Sequence, residues 1–170
     1  YLMLLFTVLF PLIYVVMLRI TRNIKNFRLE NRVERLPVFI STTAFYIMTY
    51  IFARHWFYQI PEIYYSLMFG GCLSVLLVTI ISFKWKISAH ACGITGVAGA
   101  LFGVGELISK YFFMLSENPV FESIIWFTLL AGLVGTARMQ LKAHTIQQVA
   151  AGALLGFCCL YFPVKFLFYL

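Results

Sequence analysis

Apolar runs of about twenty residues, separated by short polar or basic stretches, set the rhythm of this chain. A helix needs about 20 mainly apolar residues to cross roughly 30 Å of hydrocarbon. Six stretches meet that requirement: 1–19, with Pro11 inside it; 37–54, opening on Pro37 in the favourable first-turn position; 62–83; a Gly-rich run over 88–108; 120–137; and 145–168, with Pro163 near its end. No internal repeat, low-complexity segment or second domain is visible. The pattern predicts one all-α domain over residues 1–170, a polytopic transmembrane helical bundle of about six spans.

Composition narrows the choice of solvent to lipid. The 170 residues are 62% hydrophobic and 11% charged, where soluble domains run at roughly 45–50% and about 25%. With a mean hydropathy of +0.92, too little polar surface exists to coat a water-exposed sphere. Disorder, collagen and disulfide scaffolds are excluded on the same grounds, needing respectively low hydrophobicity, a Gly repeat and dense cysteine. Cys72, Cys92, Cys158 and Cys159 lack metal-ligand spacing and fall within apolar runs, so they read as small buried hydrophobes. Residue 1 is a Tyr already inside an apolar run, with no initiator Met and no basic flank, and the native start is expected upstream.

Charge is confined to the connections, and it is lopsided. With six spans, the connections after the first, third and fifth share a face, which holds Arg19, Arg22, Lys25, Arg28, Arg32, Arg35, Lys84, Lys86, Arg138 and Lys142 against Glu30 and Glu34. The opposite face has Arg54 and Lys110 against Glu62, Glu117 and Glu122. A net charge of +7 would suggest nucleic acid in a soluble protein; here it reads as a topology signal or as ligands for an anion, with no nucleic-acid partner. By the positive-inside rule the basic face is cytoplasmic, unless several of its charges grip a phosphate group, in which case the count no longer reports orientation.

Two of the three histidines, His90 and His144, lie on the basic face, each at the predicted start of a helix. Ser88 is placed to cap the fourth span, whose first N–H groups are unpaired and whose dipole favours an anion beside His90. Arg138 closes the fifth span and His144 opens the sixth at the same depth. His144 and Gln148 are four apart, so on a helix they share a face and Gln148 can hydrogen-bond the imidazole, fixing its tautomer and aim.

These residues resemble the motifs of the type 2 phosphatidic acid phosphatase superfamily. Arg138, five residues, His144, three residues and Gln148 are similar to its third motif, Ser-Arg-x5-His-x3-Asp, and Ser88-Ala-His90 to its second, Pro-Ser-Gly-His. Residues 28–37, with Arg28, Arg35 and Pro37, resemble its first, Lys-x6-Arg-Pro, more loosely: Leu36 intervenes, and two spans separate this stretch from His90, where the family usually places both motifs on one connection. The resemblance implies His144 as the nucleophile taking up a phosphoryl group, His90 as general acid, Gln148 as orienter, and Arg138, Ser88, Arg28, Arg35 and Lys86 around the phosphate. It also implies a lipid-phosphate or isoprenoid-phosphate substrate among membrane lipids, with no metal and no cofactor. A basic helix lying on anionic headgroups accounts equally for residues 28–35.

Departures from the pattern divide the functional expectation. Ile87, Ala89 and Ala137 replace the family's Pro, Gly and Ser, and Gln148 replaces the Asp that orients the nucleophile. An amide brings no charge to stabilise an imidazolium, and the comparable Asp→Asn change in the serine-protease triad lowers turnover about 10⁴-fold. The chain therefore reads either as a membrane phosphatase or phosphotransferase, or as a catalytically degenerate member with a structural or anionic-lipid-binding role. A transporter or channel lacks support, because ionisable residues are scarce away from the span ends. His55, beside Trp56 on the opposite face, reads as interfacial, and Glu106 lies too far along the fourth span to join the site. Small residues, Gly93, Gly96, Gly99 and Gly103 on the fourth span, Gly132 and Gly135 on the fifth, and Gly152 and Gly156 on the sixth, predict that these three helices pack most closely.

Overall fold

The computed structural model describes residues 2–22, 24, 32–56, 60–111 and 118–167, and their regular structure is entirely helical. The chain opens with α1 (Leu2–Leu4), a π-helical turn (Leu5–Leu9) and α2 (Phe10–Ile20). Pro11 explains the π turn. It has no N–H to give the Thr7 carbonyl, and the Phe10 N–H reaches back five residues to Leu5.

Five helices are long and apolar enough to cross a membrane: α3 (Arg32–Trp56), α4 (Glu62–Ser82), α5 (Ala89–Tyr111), α6 (Phe121–Gln140) and α7 (Ile146–Leu167). Leu5–Ile20 is a shorter apolar helix. The architecture is the expected all-α bundle, with boundaries close to those read from hydropathy. The start of α3 differs: the helix is already formed at Arg32, and Pro37 lies inside it. A proline this near a helix start removes a single backbone bond, and its fixed φ is itself helical, so apolar packing carries the helix through it.

α7 is the hub, packing on α5 most extensively and on α4 next, while α3 pairs with α4. Glycine makes the α5–α7 contact possible. A Cβ on Gly152 would sit 2.5 Å from the Ser88 carbonyl oxygen, and one on Gly156 or Gly99 would collide with the Cys92 carbonyl or the Phe157 backbone. Gly70 on α4, which the sequence pattern did not single out, meets the Cys159 carbonyl at 2.5 Å in the same way. The expectation of close packing fails for α6. Gly132 has nothing within 4 Å of its Cβ position, Gly93 on α5 likewise, and Gly135 is the one buried residue of α6. In lipid, a small residue invites a neighbour without supplying one.

Two pairs tie α3 to α4. The Thr43 and Thr79 hydroxyls hydrogen-bond at 2.8 Å in the buried interior, and Arg54 pairs with Glu62 at 3.1 Å where the hairpin turns. Cys72, Cys92 and Cys159 are buried free thiols, as expected, and Cys158 is half-buried.

Candidate functional site

At the end of the bundle opposite the Arg54–Glu62 pair, three stretches of chain converge. Ser88 ends the α4–α5 connection and caps α5, its hydroxyl oxygen accepting the Ala91 N–H at 3.3 Å. Its own N–H donates to the Gln148 carbonyl at 3.2 Å, which ties the start of α5 to the first turn of α7 beside Gly152. His90 is thereby brought to the entrance of α7. On α3, Arg35 is 8% exposed, donates from Nη2 to the Ile87 carbonyl at 3.3 Å and lies over the Phe39 ring at 5.1 Å. The two spans between Arg35 and His90 are an antiparallel hairpin, which returns the chain to the same face.

Arg138 and His144 are joined by the turn that leaves α6. The Ala143 and His144 N–H groups both reach back to the Arg138 carbonyl, at 3.1 and 3.3 Å, and Lys142 takes a left-handed backbone conformation with φ 51°. Arg138 Nε is buried and has no hydrogen-bond partner among the described residues. Buried donors are seldom left so, and an unpaired guanidinium N–H is what an anion would use.

His144 is 7% exposed, and its orientation is set by a reciprocal cap at the start of α7. Thr145 Oγ1 accepts the Gln148 N–H at 3.4 Å, and Gln148 Oε1 accepts the Thr145 N–H at 3.2 Å. This Thr-x-x-Gln capping box is legible in the sequence, yet Thr145 was not among the expected site residues. A backbone N–H can only donate, so the amide atom it meets is the carbonyl oxygen. The same Oε1 lies 3.1 Å from His144 Nδ1, which must then carry the ring proton. Nε2 keeps its lone pair. Burial, and then the positive charges of Arg35, Arg138 and Lys86, push the His144 pKa down to about 4, the Gln148 hydrogen bond opposing them.

Not every expected residue joins the cluster in the expected way. Ser88 is fully buried, with its oxygen spent on the helix cap, so it positions α5 and does not present a hydroxyl to a ligand. Arg28 lies outside the described residues. His55 sits at the far end of α3 against Trp56, as read from sequence. Glu106 is also at the far end, where it pairs with Lys165 at 2.9 Å and accepts the Tyr161 hydroxyl at 2.8 Å. Two ion pairs, Arg54–Glu62 and Glu106–Lys165, lie away from the cluster.

The two described cavities also lie elsewhere. One of about 490 Å³ borders Glu106 and Asn118, and one of about 240 Å³ lies between Thr7, Tyr46 and Met68. His90 is exposed, whereas Arg35 and His144 are buried beneath it in the packing of the helix ends. The groups gathered there are fixed cations, a helix N-terminus and two imidazoles, one of which has its lone pair aimed by an amide, and such groups are able to hold an anion.

Fold and apolar helices together define a multi-pass integral membrane protein of all-α architecture. Comparisons with family models, with curated proteins and with solved structures each return no match.

Proposed function

We propose that this chain binds the phosphate group of a lipid or isoprenoid phosphate at the basic end of the bundle and hydrolyses or transfers it through His144, as a divergent relative of the type 2 phosphatidic acid phosphatases. The observation that carries this reading is the convergence of Arg35, Lys86, His90, Arg138 and His144 from three separate stretches of chain, with His144 Nδ1 engaged by Gln148. Three of these groups are permanent cations, which suit a phosphate dianion.

In this mechanism Arg35 and Arg138 hold the phosphate oxygens, and the Arg138 Nε supplies the donor that the protein leaves unpaired. His144 Nε2 attacks phosphorus and the bond to the leaving oxygen breaks, His90 giving that oxygen a proton. Water then attacks the phosphohistidine, His90 accepting its proton, and inorganic phosphate leaves with the imidazole restored. No metal or cofactor is invoked. The setting we assign is a multi-pass place in the bacterial inner (cytoplasmic) membrane, with membrane lipids as surroundings and no nucleic acid as partner.

A second reading has its own observation: Gln148 gives the imidazole an uncharged partner, and Ala137 and Ala89 stand where the family has Ser and Gly. On that reading the site binds an anionic headgroup without turnover. Phosphate release by purified protein in detergent, across lipid monophosphates and diphosphates, separates the two. Release abolished in both His144→Ala and His90→Ala and raised in Gln148→Asp establishes the enzyme. Absence of release from every substrate, Gln148→Asp included, together with retained anion binding establishes the binder.

A further inference from the structure

His144 sits where several elements meet, and each presents it with positive charge or with none. α3 brings Arg35, the α4–α5 connection Lys86 and the end of α6 Arg138, while α7 brings the neutral amide of Gln148. α5 adds His90 in its first turn, behind the uncharged cap Ser88. Glu34, the acidic residue in the first turn of α3, is not among the charges acting on His144. A proton on Nε2 would enter a mostly buried position among cations, so without an anion the ring is neutral. Burial and those same cations account for its pKa of about 4.

We propose that anion binding at this site is coupled to proton uptake: a tetrahedral dianion held by Arg35, Arg138 and Lys86 reverses the local field, and His144 Nε2 takes up one proton from solvent. The proposal rests on the anion site described above and not on turnover. One N–H bond forms on Nε2, and the buffer loses that proton. The resulting imidazolium donates through Nδ1 to Gln148 Oε1 and through Nε2 to an anion oxygen. A carboxylate at position 148 would hold this proton on the ring in advance, so the coupling is a consequence of the amide. The protonated ring binds more tightly, its lone pair being used, and the attack on phosphorus proposed above belongs to the fraction of the complex whose ring is still neutral. Affinity and turnover then respond to pH in opposite directions.

Linkage fixes the sign. Above about pH 4 the unliganded ring binds no proton and the liganded ring does, so affinity rises as pH falls, by up to tenfold per unit for one proton, and levels off near pH 4. Sulfate is the suitable probe, because it remains a dianion over this range and any proton taken up must go to the protein. Calorimetric titration of the detergent-solubilised chain with sodium sulfate, from pH 5 to 7.5 and in two buffers of different ionisation enthalpy, reads both the slope and the protons taken up.

The expected result is an affinity that rises on acidification, with heats that differ between buffers by up to one proton. His144→Gln loses both effects, and Gln148→Glu binds sulfate with a flattened slope because its ring is already charged. A wild-type affinity independent of pH, with equal heats in the two buffers, overturns the coupling and leaves the anion site standing. A slope that survives in His144→Gln assigns the proton to another group and overturns it too. Absence of sulfate binding at every pH overturns the coupling together with the anion site.

Discussion

Lys142 holds a left-handed backbone conformation, φ 51°, two residues before His144, in the turn that lets Ala143 and His144 bond back to Arg138. A side chain there costs roughly 1–2 kcal/mol, which glycine does not incur. Lys142→Gly should therefore stabilise the protein by about 1 kcal/mol, seen as a higher unfolding midpoint in detergent. His144 gives a second expectation at this scale. Its pKa falls from 6.5 to about 4 on folding, so between those values the unfolded chain binds more protons than the native one. Stability is complete above about pH 6.5, declines as pH falls towards 4 and is level below, and His144→Gln should remove that decline from a series of unfolding curves. Much of the residue-scale detail was legible: the spacing of His144 and Gln148 implied their hydrogen bond, and Thr145 with Gln148 spells a capping box. The bond from Arg35 to the Ile87 carbonyl was not legible, because a backbone acceptor leaves no mark on the residue that offers it.

Among elements, α5 and α7 depend on the absence of particular side chains. Gly156 faces the Cys92 carbonyl across the contact, and a methyl there cannot be accommodated without parting the two helices. Gly156→Ala should destabilise by about 1–3 kcal/mol, the usual cost of overpacking. Gly132→Ala, with open space at its Cβ position, should instead stabilise α6 by about 0.5–1 kcal/mol through helix propensity. The two variants, compared in one thermal-unfolding series, test whether backbone proximity and not glycine content holds the bundle together. The α3–α4 pair makes a smaller claim: Thr43→Val, which removes the hydroxyl bonded to Thr79, should cost about 0.6 kcal/mol, typical of hydroxyl bonds between membrane helices. Sequence identified the glycine stripes but not which of them would meet a neighbour. Gly93, Gly96 and Gly99 look alike in a pattern, and only the last two are covered.

At the scale of the molecule the two ends of the bundle differ in kind. One gathers Arg35, Lys86, His90, Arg138 and His144; the other pairs its charges, Arg54 with Glu62 and Lys165 with Glu106. Along α5, His90 and Glu106 are separated by sixteen residues, roughly 24 Å of helix, too far for direct coupling. Arg35→Ala and Arg138→Ala should each weaken sulfate binding about tenfold or more, since each removes a charge-assisted donor, whereas Lys165→Ala should leave it unchanged. Sequence by itself determined the solvent, the helical class, the approximate spans and the face on which the charge collects, because hydrocarbon requires long uninterrupted apolar helices and pushes charge to their ends. Tertiary structure decided the rest. Folding α3 and α4 as a hairpin returned Arg35 to the start of α5, contact through Gly152 brought Ser88 against Gln148, and Ser88 was turned inward as a cap. Those outcomes depend on which helices touch, and in lipid that choice follows shape and hydrogen bonding between partners, which no single segment encodes.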